Sequence, residues 1–403
     1  MHYGVLDMEI RTYSLSDVLT LIMDFRGKTP KKLGLDWSPD GDVAAISAKN
    51  IKHGQLVNMD KCHRGSVRLY KTWMKDGDLR EGDLLLTSEA PLGEWYQVKA
   101  GDKFILSQRT FALRPNPKIV DADYFASVVS SRHFQDVLHN FATGTTVMGI
   151  RQKTLLTVPI ELPDIETQRR IGQVISDLHA KVELNQQINK NLLKLSSNIV
   201  MAASLKSERI TDLQTLLDSS RKANISIDEV SLDTYVSNTS LRANKRGLDT
   251  AEDYPSVKTV RAVEPGDVLV GNIRPYFKKI WFADRKGGAS NDVITFRADN
   301  TTVTPEFLFG ILYSDRFFDY VTATSKGTKM PRGDKQAIAL YQVGLPDKDV
   351  ITSVSDVVNP MLEQVSLNEK QNQQLTKLRN LLLPKLLAGD IDLSNIETVM
   401  NNA

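Results

Sequence analysis

171-IGQVISDLHAKVELNQQINKNLLKLSSNI-199 and 354-VSDVVNPMLEQVSLNEKQNQQLTKLRNLL-382 are two stretches of one chain that carry the same seam. Stepping alternately by four and three from Ile171 lands on Ile175, Leu178, Val182, Asn185, Asn189, Leu192, Ser196 and Ile199, the spacing of a heptad. The same steps, 183 residues later, give Val354, Val358, Met361, Val365, Asn368, Asn372, Leu375, Arg379 and Leu382. Both seams are interrupted by asparagine at the same two positions. A polar residue in a seam lowers stability but fixes register and partner, so matched interruptions favour a helix pair over two unrelated surface helices. Pairing is therefore assigned to Ile171, Ile175, Leu178, Val182, Asn185 and Leu192 on one helix, and to Val354, Val358, Met361, Val365, Asn368 and Leu375 on the other. Asp164 is the expected N-cap of the first helix, and Pro384 followed by Gly389 is expected to close the second. Each helix has the length of a spacer, about 40 residues or roughly 60 Å.

The repeat extends upstream of the seams. The segment 141-FATGTTVM-148 lies over 324-TSKGTKMP-331, and Pro163-Asp164 over Pro346-Asp347, at the same offset of 183. Further upstream the offset becomes 184, with 82-GDLLLT-87 over 266-GDVLVG-271 and Pro91 over Pro275. This period is far longer than that of a solenoid. Ahead of the first long helix, β-rich runs at Leu84–Thr87, Thr110–Arg114 and Val158–Leu162 are separated by turn residues. Between them lies an amphipathic helix with Phe125, Val128, Val129, Val137, Leu138 and Phe141 at helical spacing, echoed by Leu308, Ile311, Leu312, Tyr320 and Val321. The expected fold class is α+β: an internal duplication with pseudo-two-fold symmetry, in which two globular domains are joined by two long antiparallel paired helices. The expected boundaries are 1–163 and 206–346 for the globular domains, 164–205 and 347–390 for the helices, and 391–403 for a tail.

A chain of 403 residues exceeds what one hydrophobic core usually serves, and 41% hydrophobic with 25% charged residues is an ordinary folded composition. The net charge of +2 announces no global attraction to nucleic acid, so any basic surface is local. A single cysteine, Cys62, excludes an intrachain disulfide framework and fits a reducing compartment. With no signal-like start and no apolar run of membrane-spanning length, a cytoplasmic location without membrane contact is expected.

Catalytic motifs are not found. Gly144-x4-Gly149 is followed by Ile150-Arg151, where a phosphate loop requires Lys and Ser or Thr. The chain has no Asn-Pro-Pro or Asp-Pro-Pro run of an amino-methyltransferase, and His53, Cys62 and His63 match no zinc spacing. No catalytic residue, cofactor or metal is therefore expected. Basic residues instead gather in matching loops. Arg274, Tyr276, Lys278 and Lys279 follow a strand end, and Lys326, Thr328, Lys329, Arg332 and Lys335 surround Gly327. In the first copy the equivalents are Ser88, Glu89, Thr145, Thr146, Arg151 and Lys153, with a further patch at Arg26, Lys28, Lys31 and Lys32. Taken singly, each is most simply a solvated charge. As clusters beside a Gly-Thr loop they are read as contacts to phosphates or base edges, Glu89 as an acceptor for cytosine N4.

Across essentially its whole length the chain resembles the specificity subunits of type I restriction–modification systems. The resemblance rests on 15-LSDVLTLIMDFRGKTP-30 with 46-ISAKNIKHGQL-56, on 82-GDLLLT-87, and on 143-TGTTVMGIRQKTLLTVPIELPDIETQRRIGQVISDLHAKVELNQQIN-189. It is carried further by 266-GDVLVGNIRPYFKKIWFAD-284 and 375-LTKLRNLLLPKLLAGDI-391. It implies two target-recognition domains that each read one half of a split, asymmetric site in double-stranded DNA. It also implies paired helices that set the gap and dock two methyltransferase subunits, and motor-nuclease subunits in the full assembly. The chain departs from the pattern at 349-DVITSV-354, which lacks the Glu-x-Gln of 166-ETQ-168, and at 198-NIVMAASL-205, which lacks the Leu-rich Pro-Lys ending. These departures put the helix ends in question. Two other classes stay open on sequence alone: a coiled-coil scaffold whose globular domains bind protein or ligand, and a DNA methyltransferase or nuclease with its own recognition domains.

Overall fold

The computed structural model describes residues 9–75, 77–218 and 224–391. Of the expected tail, residues 392–403 lie outside the described residues. The chain divides into two compact units, one of residues 1–181 with 374–403, the other of residues 182–373.

The first unit is built on a four-stranded antiparallel sheet in the order Leu19–Asp24, Thr110–Pro115, Leu84–Ser88, Leu92–Gln97. The run Leu84-Leu85-Leu86 is apolar without alternation because both faces of its strand are buried. Leu84 and Leu86 join Phe111, Phe125 and Leu138 in one core, while Leu85 joins Ile46, Leu69, Trp73 and Ile105 in another. The second unit repeats the device. Val268–Gly271 lies between Ile280–Phe282 and Val293–Phe296, with Val268 and Val270 in the core of Phe307 and Phe317, and Leu269 on the opposite face with Val236 and Val293.

The turn before each of these central strands is locked identically. Asp83, 1% exposed, receives a two-pronged ion pair from Arg114 at 2.8 and 2.7 Å, and Asp267, equally buried, receives one from Arg297 at 2.7 Å on each oxygen. Each carboxylate also accepts a backbone N–H three residues upstream. These contacts leave neither charge uncompensated, which a buried carboxylate requires. The helices that follow start on matched caps: Asp121 and Thr304 for Ala122–Ser130 and Pro305–Leu312, Ser131 and Ser314 for Arg132–Asn140 and Asp315–Ala323.

The long helices span Ile165–Lys206 and Lys348–Leu387. Asp164 caps the first through the backbone N–H groups of Glu166 and Thr167, each at 3.0 Å. Gln168, buried, donates to the carbonyls of Ile119 and Pro163 and accepts the N–H of Asp121, so it fastens the helix start to the globular domain. In the second copy Ile351 is buried at the matching position, and the tie is a hydroxyl pair, Thr304 with Ser355 at 2.6 Å. The missing Glu-x-Gln is thus replaced by apolar packing plus one hydrogen bond, and the helix starts where its counterpart does.

The two endings differ because they pack on different partners. The first helix contributes residues 165–181 to the first unit and 182–206 to the second; the later helix contributes 348–373 to the second and 374–387 to the first. The end of the first helix fits small residues: Ser197 donates to the Gly310 carbonyl at 2.7 Å and Ser204 to that of Gly344 at 2.8 Å, with Val200 against Gly310. The end of the later helix buries Leu383 and Leu386 in the first unit's core, beside Ile171 and Ile175. The expectation that Pro384 closes this helix is corrected. Proline removes one intrahelical N–H, but the buried leucines on either side hold the helix on to Leu387, and left-handed Gly389 (φ 75°) ends it.

Candidate nucleic-acid interface

In each globular domain three segments meet at the end of the central strand. The first is the turn after the strand, residues 88–91 in one copy and 272–275 in the other. Ala90 and Arg274, each immediately before the matched proline, share a left-handed φ of 52°. A non-glycine residue rarely adopts that conformation, and where it does the site is often a ligand-facing one. The second segment is a tight hairpin closed by paired backbone bonds, Thr143 with Gly149 at 2.9 and 3.0 Å, and Lys326 with Arg332 at 2.9 Å both ways. Gly144 (φ 126°) permits the first hairpin, because a Cβ there would lie 2.2 Å from the Val147 carbonyl oxygen. The third is the turn entering the strand opposite, where the carbonyls of Arg109 and Asp292 accept the N–H of Ser88 and Asn272, both at 2.9 Å. The backbone ties Ile150 N–H to Ser88 O (2.9 Å) and Gly333 N–H to Asn272 O (3.1 Å) hold each hairpin on its strand end.

The side chains mounted on this shared frame differ. On the first hairpin Thr145 and Thr146 are exposed, with Arg151 and Lys153 exposed just beyond. Glu89 is half-exposed and paired with Arg109 at 3.0 Å. Ser88 is fully buried and is therefore corrected out of the exposed surface, as its strand is covered on both faces. Arg26 is also corrected: its guanidinium grips Asp24 at 2.8 and 2.6 Å, lies 4.2 Å over the Phe111 ring and donates to the Ile150 carbonyl, bracing the exit of the hairpin. Lys28 donates to the Trp73 carbonyl at 2.9 Å, while Lys31 and Lys32 are exposed, Lys32 donating to the Gly27 carbonyl.

On the second frame Tyr276 is exposed and packs on Phe277, and Thr328, Lys329 and Lys335 are exposed. Lys326 pairs with Asp334, and Arg332 with Asp292 at 3.1 Å, both at the surface. Arg274 is half-buried. Lys278 is held between Asp315 (2.8 Å) and Asp319 (3.3 Å). Lys278 and then Lys245 hold the Asp315 carboxyl at about 2. Lys279 donates to the Asn238 carbonyl, and burial lowers its pKa. These two lysines brace the turn that carries Tyr276 instead of offering free charges. A run of basic residues does not distinguish a lysine whose stem and head are taken up internally from one that is free. Sequence reasoning also missed Arg109 and Asp292, which the offset of 183 places together, and the exposed apolar tips Val147, Met148 and Met330.

The seam asparagines meet in the second unit. Asn185 donates to Asn372 at 2.9 Å and to Gln371 at 2.7 Å; Asn368 donates to Asn189 at 2.7 Å. Four residues forward on one helix is four back on the other, and Ser196 meets Met361 seven further on, so these segments run antiparallel. The offset of 183 turns Asn185 into Asn368 and Asn189 into Asn372, exchanging the two pairs. All four side chains are buried.

With this geometry in place, the likenesses to known proteins are informative. A family model described as the type I restriction modification DNA specificity domain matches residues 8–194. The type I restriction enzyme MjaIX specificity subunit of Methanocaldococcus jannaschii is 21% identical over 91% of this chain and 90% of its own length. In sequence, the chain is thus similar to type I restriction–modification specificity subunits over nearly its whole length. The HindI specificity subunit of Haemophilus influenzae is 25% identical over 34% of the chain and 30% of its own length. The crystal structure of a type I system S subunit from M. genitalium shares the fold, with a TM-score of 0.57 at 12% identity over 94% of this chain and 96% of that one. Among the described residues of this chain, no group of three or more His, Cys, Asp or Glu side chains is placed to hold a metal ion, and no helix is long and apolar enough to cross a membrane.

Proposed function

We propose that this chain is a type I specificity subunit that reads a split, asymmetric site in double-stranded DNA, one half-site per globular domain. In this reading it is non-catalytic and works in the cytoplasm, with residues 1–163 and 206–346 as the two target-recognition domains. The observation that carries the reading is the pair of loop frames, which share a left-handed residue before the proline and a closed hairpin tied to the strand end, but are fitted with different side chains. One docking geometry with two sets of contacts is what two different half-sites require. The exposed members of the candidate set, Thr145, Thr146, Arg151 and Lys153 in one domain and Tyr276, Thr328, Lys329, Arg332 and Lys335 in the other, make those contacts.

The helix pair is the ruler and the dock. Its hydrogen-bonded asparagines exchange under the repeat, and the outward leucines Leu184 and Leu367, both more than half exposed, are related by the same offset. Two equivalent faces suit two identical methyltransferase subunits, with motor-nuclease subunits joining the larger assembly. Because the net charge is only +2 and Arg26, Lys28, Lys278 and Lys279 of the candidate set are taken up internally, the isolated chain binds DNA weakly, and the partners supply the rest of the counterion release.

Co-expression with the cognate methyltransferase, followed by genome-wide mapping of methylated adenines, tests this. The expected result is a bipartite motif with a fixed gap; a continuous palindrome, or no motif, overturns the proposal. Inserting one heptad into both helices should widen the gap by about 10 Å, or about 3 base pairs, and leave both half-sequences unchanged.

A further inference from the structure

Val147 and Met330 occupy the same position of the two hairpins, 183 residues apart, and both are about half exposed (52% and 50%). Their neighbours have diverged. Thr143, Thr146, Met148 and Gly149 in the first hairpin stand against Lys326, Lys329, Pro331 and Arg332 in the second. Apolar character has been kept at the tip while the charge around it changed, although a side chain in water is least costly when polar. Each tip is also closed by two backbone bonds and turned by a glycine of positive φ, so the backbone presents the side chain at the surface.

A protein can use an exposed apolar side chain against duplex DNA in two ways. It can wedge between base pairs, or it can lie against the C5-methyl group of thymine in the major groove. A valine is too short to part a base stack, so only the second use is common to both hairpins. Resting on the reading of the two domains as DNA readers, we propose that Val147 and Met330 are matched methyl probes, each contacting a thymine C5-methyl in its own half-site. Thr145 and Thr328, which precede them in both loops, then hydrogen-bond the adjacent backbone or base edge.

The test uses the full chain assembled with its methyltransferase and duplexes carrying the mapped site, in which each thymine is replaced singly by deoxyuridine. Uracil keeps every hydrogen bond and removes only the methyl. In the half-site of the second domain, one replacement should weaken binding about fourfold, the factor expected for exposing one buried methyl. The Met330→Ala variant should lose that sensitivity and Met330→Leu should keep it. Val147→Ala should abolish the sensitivity in the other half-site only. The proposal is overturned if no replacement matters in the unaltered protein, if the sensitivity survives Met330→Ala, or if the half-sites contain no thymine on either strand. It is also overturned if a 2-aminopurine at the contact brightens on binding, which marks a wedge. A split motif with methyl-insensitive binding removes this inference alone, whereas absence of a split motif removes the reading beneath it.

Discussion

Replacing Asn185 by alanine should destabilise the second unit by a predictable amount. The substitution removes the donor that serves Asn372 at 2.9 Å and Gln371 at 2.7 Å. Gln371 is half-buried and can turn to water, but Asn372 is only 7% exposed and its oxygen keeps no other donor in this network. An unsatisfied buried acceptor costs about 1–3 kcal/mol, and alanine's better helix propensity returns about 0.5 kcal/mol. The net loss is about 1.5 kcal/mol, a fall of about 3–6 °C in the transition of a unit of this size. Asn368→Ala should cost a similar amount, because it strands the buried oxygen of Asn189 in the same way. Far-UV circular dichroism during urea and thermal unfolding gives the number, and the double variant Asn185→Ala with Asn372→Ala should show about 1–2 kcal/mol of coupling. Leucine at both positions strands nothing, so stability should be kept or raised while register is lost, with heterogeneity in the gap of the methylated motif. A loss below about 0.5 kcal/mol for Asn185→Ala, or additive single changes, would refute the account of these residues as a hydrogen-bonded pair.

Three further outcomes are expected. Arg297→Met leaves the Asp267 carboxylate buried without its cation and should cost about 3–5 kcal/mol in urea unfolding, with partial rescue by Asp267→Asn. Gly310→Ala puts a Cβ 2.5 Å from Val200, so it should destabilise by about 1–3 kcal/mol, and Val200→Ala in the same chain should relieve most of that loss. Asp315 is held at about 2 by Lys278 and Lys245, below its ordinary 3.8. Its contribution is therefore complete above pH 3.8 and lost as pH falls through about 2. With a largely exposed carboxylate that contribution is below about 1 kcal/mol, and Asp315→Asn should flatten the acid limb of the stability profile accordingly.

The duplication, the α+β class and the two long helices were legible because they rest on features that need no tertiary context. Heptad spacing, turn residues and a constant offset are all properties of the chain read in order. What the linear order left open were questions of burial and of partner. Ser88 and Glu89 are neighbours in sequence, yet one is sealed inside the sheet and the other reaches the surface to meet Arg109. Lys278 and Lys279 look identical to Lys329 in a count of basic residues. Only the positions of Asp315, Asp319 and the Asn238 carbonyl show that their charges are already taken up.

The helix ends make the same division. The sequence by itself determined that both seams carry asparagine at matching steps, because periodicity and repeat offset are local bookkeeping along the chain. The tertiary structure alone decided that Asn185 answers Asn372 and Asn368 answers Asn189, and that Pro384 is carried through the helix by buried leucines beside it. The physical reason is that hydrogen-bond satisfaction and burial are set by groups far apart in sequence, and no local pattern encodes which of them will meet.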